Sequence, residues 1–141
     1  MKILVINGPN LNMLGIREPE IYGSATYDDL KNLIQTEADA MAVEVEFFQS
    51  NHEGALVDAI QGAYKNAAGI VINPGAYTHT SVALLDAVKS VGVPTVEVHI
   101  SDPDTREEFR KISFIRAACV ATVKGKGFAG YIEALHILCD K

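Results

Sequence analysis

Arg17 and Tyr22 stand five residues apart in a polar stretch, and Glu97 and His99 stand two apart at the end of an apolar run. These pairs are the side chains of this sequence best suited to moving protons. A phenol with its ordinary pKa near 10 is only about one part in a thousand ionised at neutral pH. A guanidinium roughly 4 Å away, at an effective dielectric near 20, favours the phenolate by about 4 kcal/mol, or up to about three pKa units. Tyr22 beside Arg17 is then a usable general base. Spacing alone does not bring the two into contact, and without contact Tyr22 is an ordinary packing residue. In the second pair, strand alternation puts Glu97 and His99 on one face, where a carboxylate can orient an imidazole. A buried structural pair has the same spacing, so the sequence leaves both readings open.

The first pair belongs to residues 7–24, NGPNLNMLGIREPEIYGS, which follow an apolar strand and precede the next helical pattern. A connection of roughly eighteen residues with no element of its own is uncommon unless it is functional or disordered. Leu11, Met13, Leu14, Ile16 and Ile21 give this one something to pack, so it reads as an active-site loop. His79, in a loop beside Asn73 and just before a helix start, is a further candidate for touching a ligand. His52 reads as a loop residue and His136 as a helical surface or last-turn residue.

The elements that must position these groups alternate along the chain. KILVIN (2–7), VEVEFFQ (43–49), GIVIN (69–73), TVEVHI (95–100) and AACVATV (117–123) read as strands. The second alternates apolar and polar residues and suits a sheet edge. Thr26 and Asp29 form a capping-box pattern ahead of Leu30, Leu33, Ile34, Ala38 and Met41. Leu56, Val57, Ile60 and Tyr64 mark a second helix, and Val82, Leu85, Ala87 and Val88 a third, capped by Thr80 or Ser81. Asp102 followed by Pro103 starts a fourth that carries REEFR (106–110). Phe128, Ile132, Leu135 and Leu138 form the stripe of the last. Five strands alternating with five helices predict a flavodoxin-like α/β three-layer sandwich, a parallel sheet in order 2-1-3-4-5 with helices on both faces. Ligands in such sheets bind beyond the carboxyl ends of the strands. Those ends carry Asn7, Asn10, Asn73, His79, His99 and Ser101, which the topology brings together from distant parts of the sequence.

At 141 residues the chain is expected to be one domain, 1–141, able to bury roughly 68 to 70% of its unfolded surface without a staple. Cys119 and Cys139 fall in apolar runs and read as reduced core residues. No secretory signal and no membrane-length apolar run is visible, so a cytoplasmic protein without a membrane partner is expected. Twelve Lys and Arg against eighteen Asp and Glu give a net charge of −6, which disfavours nucleic acid as a partner. GKGFAG (125–130) matches the letters of a dinucleotide fingerprint, but it follows the last strand, where the pattern lacks its βαβ unit and its acidic residue. No phosphate loop, HExxH, paired-Cys spacing or GxSxG elbow is present, which disfavours a bound metal and a covalent serine.

Taken together, NGPNLNMLGIREPEIYG, FQSNHEG, INPGAYTHTS, VEVHIS, REEFR and GKGFAGY closely resemble type II 3-dehydroquinate dehydratase, in the family's order and over nearly the whole chain. The resemblance implies a hydro-lyase that converts 3-dehydroquinate to 3-dehydroshikimate by anti elimination through an enolate, in aromatic biosynthesis or quinate breakdown. It implies no metal, no cofactor and no Schiff-base lysine. It makes Tyr22 the base at C2, Arg17 the cation that lowers its pKa, and their loop a lid. It gives Asn10 a water that stabilises the enolate, His99 the protonation of the departing C1 hydroxyl, and Glu97 the orientation of His99. Asn73 then positions the substrate, backbone groups at Ile100 and Ser101 hold its carboxylate, and His79, Asp86 and Arg110 hold its ring hydroxyls. The counterpart of Asp86 comes from a neighbouring subunit, and trimers assemble into a dodecamer.

After HIS the family usually continues with Asn and an aliphatic residue, whereas this chain has Asp102, Pro103, Asp104 and Thr105. Asp102 is expected to cap a helix and to place charge near the carboxylate site. Tyr27 and Ala55 replace the common Leu and Glu, with packing or surface effects expected. Two rival readings are a non-catalytic flavodoxin-like binding or signalling domain and another small-polyol hydro-lyase. The first lacks the acidic cluster or Ser/Thr-rich loop it needs after the first strand, where NGPN stands; only substrate testing separates the second.

Overall fold

The computed structural model describes residues 1–16, 20 and 24–140. Among them, five parallel strands form one sheet in the order β2-β1-β3-β4-β5. The strands are β1 Lys2–Asn7, β2 Glu44–Gln49, β3 Gly69–Asn73, β4 Thr95–His99 and β5 Ala121–Lys124. The helices are α1 Tyr27–Ala40, α2 Glu53–Gly62, α3 Val82–Val91 and α4 Ala129–Cys139.

Strand parity decides which helix covers which side. Ile3, Val5, Val71, Val96, Val98 and Val123 pack with Leu30 and Ile34 of α1 and Tyr131, Ala134 and Leu135 of α4. The alternate residues Leu4, Ile6, Ile70 and Ile72 pack with Leu56 and Ile60 of α2, Leu84 and Val88 of α3, and Ile115. The all-buried patterns of β3 and β4 follow from their central place in the sheet, and β2 at the edge is the half-exposed strand. Helix starts are fixed locally. The Thr26 hydroxyl accepts from the Asp29 amide while the Asp29 carboxylate accepts from the Thr26 amide, and Ser81 accepts from the Leu84 amide. Gly92 ends α3 in the left-handed conformation at φ 65°.

Three expectations are corrected. The helix expected from Asp102 onward is instead two short 3-10 turns, Pro103–Thr105 and Glu108–Lys111. Asp102 does cap the first, accepting from the Asp104 amide at 3.0 Å, but the chain leaves helical geometry at Arg106 and is extended at Glu107. Phe109, the one large apolar residue of REEFR, is 61% exposed, so a longer helix here has no face to bury. The fifth strand starts later than expected, because Ile115–Ala118 form a 3-10 turn that buries Ile115. The stripe of α4 is centred on Gly130, Tyr131, Ala134, Leu135 and Leu138, with Phe128 and Ile132 only partly buried at its margin.

The long loop after β1 contains a 3-10 turn at Leu11–Met13 and buries Leu11 and Leu14, while Met13 and Ile16 are exposed. Its middle meets its end: a Cβ on Gly15 would lie 2.8 Å from the carbonyl oxygen of Ser24. No helix among the described residues is long and apolar enough to cross a membrane.

Candidate functional site

Two loops interlock beyond the carboxyl ends of β1 and β3. The Gly8 amide donates to the Asn73 carbonyl at 2.8 Å, and a Cβ on Gly8 would meet the Pro74 carbonyl oxygen at 2.4 Å. Gly75 has φ +61°, and a Cβ there would meet the Pro9 carbonyl oxygen at 3.0 Å. Glycine at these positions is what lets the NGPN and NPGAYTH loops cross. Their crossing forms one wall of a cleft of about 200 Å³ lined by Pro9, Asn10, Leu11, Asn73, Gly75, Ala76, His99, Ile100, Ser101 and Arg110. A larger groove of about 430 Å³ lies between β2 and α2, but its walls are apolar apart from Glu46, Asp58 and Asn66, and Glu46 pairs with Lys2 at 2.6 Å. Of these two, the smaller cleft holds the groups able to bind and transfer protons to a polar ligand.

Glu97 and His99 share a face of β4 opposite Val96 and Val98, as their parity requires. Nε2 of His99 lies 2.5 Å from Glu97 Oε2. Glu97 is fully buried, and it also accepts from Ser113 Oγ at 2.8 Å, Thr122 Oγ1 at 3.2 Å and Arg116 Nε at 3.2 Å. Burial alone would push its pKa up, but His99, Arg116 and Ser113 together hold it down at about 2. Glu97 is therefore a fixed anion with four partners, and its bond to Nε2 leaves Nδ1 as the nitrogen of His99 free of that carboxylate.

The backbone beyond His99 is shaped by the 125–127 turn. The Gly125 amide donates to the carbonyls of His99 and Ser101, both at 3.3 Å, and the Gly127 amide donates to Ile100 at 3.0 Å. Gly125 and Gly127 have φ +75° and +59°, so GKG is a clamp on the β4 end. Lys124 pairs with Asp104 and stands 3.7 Å from Asp102, which balances the acidic substitutions after HIS.

Arg110 reaches the cleft with its guanidinium held by Glu107 and placed 5.1 Å from the Phe109 ring centroid. His79 is half-buried outside the lining, its Nδ1 donating to the Ile112 carbonyl at 2.6 Å. Burial lowers its pKa, with His99, Arg110 and Arg106 acting in the same direction against that hydrogen bond, so it favours the neutral form. Asn10 sits at φ 70°, its amide donating to Asn51 Oδ1 at 3.0 Å. Asp86 is on the exposed side of α3 and does not line the cleft of its own chain. Arg17 and Tyr22 lie outside the described residues. Among the described residues no three His, Cys, Asp or Glu side chains come together as a metal-ligating group.

Sequence reasoning missed Ser113, Arg116 and Thr122 around Glu97, and Tyr131. The Tyr131 hydroxyl donates to Asn7 Oδ1 at 2.6 Å and accepts from Asn73 Nδ2 at 3.0 Å. The available signal for Tyr131 was a tyrosine on the buried side of an apolar helix, where a hydroxyl needs a partner. His52 precedes α2 as its cap residue, and His136, in the last turn of α4, bonds Glu37 at 2.7 Å and Asp140 at 3.1 Å, both away from the cleft.

Residues 1–139 match the family Dehydroquinase class II. A 3-dehydroquinate dehydratase of Clostridium acetobutylicum is 55% identical over 138 residues, 98% of this chain and 96% of its own length. One from Corynebacterium glutamicum is 57% identical over 139 residues, 99% of this chain and 96% of that protein. The crystal structure of a type II dehydroquinase from Butyrivibrio crossotus superposes with a TM-score of 0.96 at 55% identity, covering 98% of this chain and 97% of the other.

Proposed function

Because this chain belongs to the dehydroquinase class II family and is an enzyme of that type, we propose that its cleft binds 3-dehydroquinate and removes water from it to give 3-dehydroshikimate. The observation that carries the reading is the buried Glu97 anion bonded to His99 at the cleft wall. Elimination from this substrate needs a base for a weakly acidic C–H, a donor for the enolate and an acid for a hydroxide leaving group.

In the proposed mechanism the Tyr22 phenolate, favoured by Arg17, takes the C2 proton. The C–H pair moves into an enolate at the C3 carbonyl, and a water held by Asn10 hydrogen-bonds the enolate oxygen. The enolate then collapses to the C1–C2 double bond as the C1–O bond breaks. Nδ1 of the His99 imidazolium supplies the proton that lets this oxygen leave as water, on the face opposite the base. Glu97 holds the other ring N–H and fixes the orientation of the imidazole.

The amides of Ile100 and Ser101 hold the substrate carboxylate, which the clamp on the neighbouring carbonyls supports. Asn73 positions the substrate, and His79 and Arg110, with Asp86, hold its ring hydroxyls. Asp86 is supplied to a neighbouring copy of the chain, within trimers that build a dodecamer; its exposed place on α3 fits such a role. Residues 1–141 act as a single catalytic unit, with no cofactor. The reaction serves aromatic biosynthesis or quinate breakdown.

The test is to add 3-dehydroquinate to the purified protein in the presence of a chelator and follow the ultraviolet absorbance of the conjugated enone. The expected result is turnover that Tyr22→Phe abolishes. Folded wild-type protein that forms no enone would overturn the proposal.

A further inference from the structure

We propose that Tyr131 is a positioning residue for Asn73, fixing its side-chain amide so that one N–H is presented to the cleft as a donor toward a substrate oxygen. This deepens the reading above and rests on it.

Strand parity sets up the arrangement. Asn7 and Asn73 are register partners at the ends of β1 and β3, and both continue the parity that sends Ile3, Val5 and Val71 toward α1 and α4. Both are buried, and Tyr131 of α4, fully buried, puts its hydroxyl between them. That hydroxyl has a single proton, and it is committed to Asn7 Oδ1 at 2.6 Å. What it offers Asn73 is a lone pair, which matches Nδ2 at 3.0 Å. On the other side of the same amide, Asn73 Oδ1 accepts from the Gly75 amide at 3.1 Å.

Turning the Asn73 amide over would break both contacts. Its oxygen would face a hydroxyl whose proton is already used, and its NH2 would face the Gly75 N–H. Only one orientation satisfies both neighbours. An amide nitrogen carries two hydrogens; Tyr131 accepts one, and Asn73 lines the cleft with the other to give. The apolar contacts of residue 131 with Ala134 and Leu135 need only the ring, so a phenylalanine would pack as well and leave Asn73 without its acceptor.

The experiment is a double-mutant cycle on steady-state dehydration of 3-dehydroquinate, using Tyr131→Phe, Asn73→Ala and the double variant. Loss of one neutral hydrogen bond that orients a binding group is expected to lower kcat/KM about fivefold to tenfold in Tyr131→Phe. Asn73→Ala is expected to lose at least as much, and the double variant no more than Asn73→Ala alone. A core role for Tyr131 would move the melting temperature but leave kcat/KM per folded molecule unchanged, or give losses that multiply in the double variant. Either result overturns the proposal. Asn7→Ala, which frees the Tyr131 proton to turn onto Asn73, is the second arm and decides the matter if Tyr131→Phe does not fold. Its loss is also expected to vanish in the Asn73→Ala background, and a loss that persists there overturns the proposal. Wild-type turnover separates the two readings: its absence overturns the function itself, whereas normal turnover with multiplying losses overturns the role of Tyr131 alone.

Discussion

Oε2 of Glu97 and Nε2 of His99 lie 2.5 Å apart on a buried face of β4, with Ser113, Arg116 and Thr122 closing around the same carboxylate. The pair combines the role proposed for His99 with a structural one. The carboxylate that orients the histidine is also a buried anion on which three segments of chain converge.

That convergence predicts an acid-sensitive contribution to stability. The folded Glu97 carboxyl titrates at about 2 against an ordinary 4.5, so as pH falls the unfolded chain takes up the proton first. The contribution is fully present above about pH 4.5 and is lost as pH falls through the window down to about 2. Its size is on the order of 3 kcal/mol. Urea unfolding of wild type and Glu97→Gln should therefore show the variant less stable at pH 7, with the gap narrowing steadily between pH 4.5 and the acid limit.

Lys124 is expected to keep the Asp102 to Thr105 segment from repelling an anionic substrate. It pairs with Asp104 and stands 3.7 Å from Asp102, so removing Asp102 alone changes little. Asp102→Asn should alter KM for 3-dehydroquinate by less than about threefold, since exposed pairs contribute little each. Lys124→Met should raise KM by about threefold to tenfold by leaving two carboxylates unbalanced, and adding Asp102→Asn should restore part of it. The Lys124→Met effect should shrink as salt is added.

The loop crossing at Gly8 is expected to tolerate no side chain. With the Pro74 carbonyl oxygen 2.4 Å from where a Cβ would stand, Gly8→Ala must push the two loops apart. Overpacking of this kind costs about 3 kcal/mol. The melting temperature should fall by roughly 6–12 °C. Because the displaced loops form one wall of the cleft, kcat/KM measured well below that temperature should fall too. Gly62→Ala, where a Cβ meets nothing within 4 Å, is the control.

Much of the fold was legible because local signals and global topology agree. GIVIN is a strand from Gly69–Asn73 because the apolar run Ile70, Val71 and Ile72 between turns suits a central parallel strand, and the Thr26 and Asp29 pair forms the box its spacing implies. Asp102 and Pro103 misled because a good helix start fixes only the first turn; REEFR supplies no apolar stripe to extend it. The cleft was legible in part as a gathering of strand ends: Asn10, Asn73, His99 and Ser101 line it, Asn7 and His79 do not, and Ile100 and Arg110, which also line it, were expected from the family resemblance alone. The partners of Glu97 were not. Ser113, Arg116 and Thr122 come from a 3-10 connection and the neighbouring strand, and no periodicity links them to position 97. Tyr131 was hidden differently, inside an apolar helix whose buried face is shifted from the expected stripe.

The division of labour between Tyr22 and His99 is tested most directly by solvent exchange at C2 of 3-dehydroquinate in D2O, followed by NMR alongside enone formation. If Tyr22 forms the enolate and His99 only releases the hydroxyl, His99→Ala should lower enone formation by about 10²-fold to 10⁴-fold while C2 exchange continues. Tyr22→Phe should lose both. Exchange that survives in Tyr22→Phe, or enone formation undiminished in His99→Ala, would contradict the account.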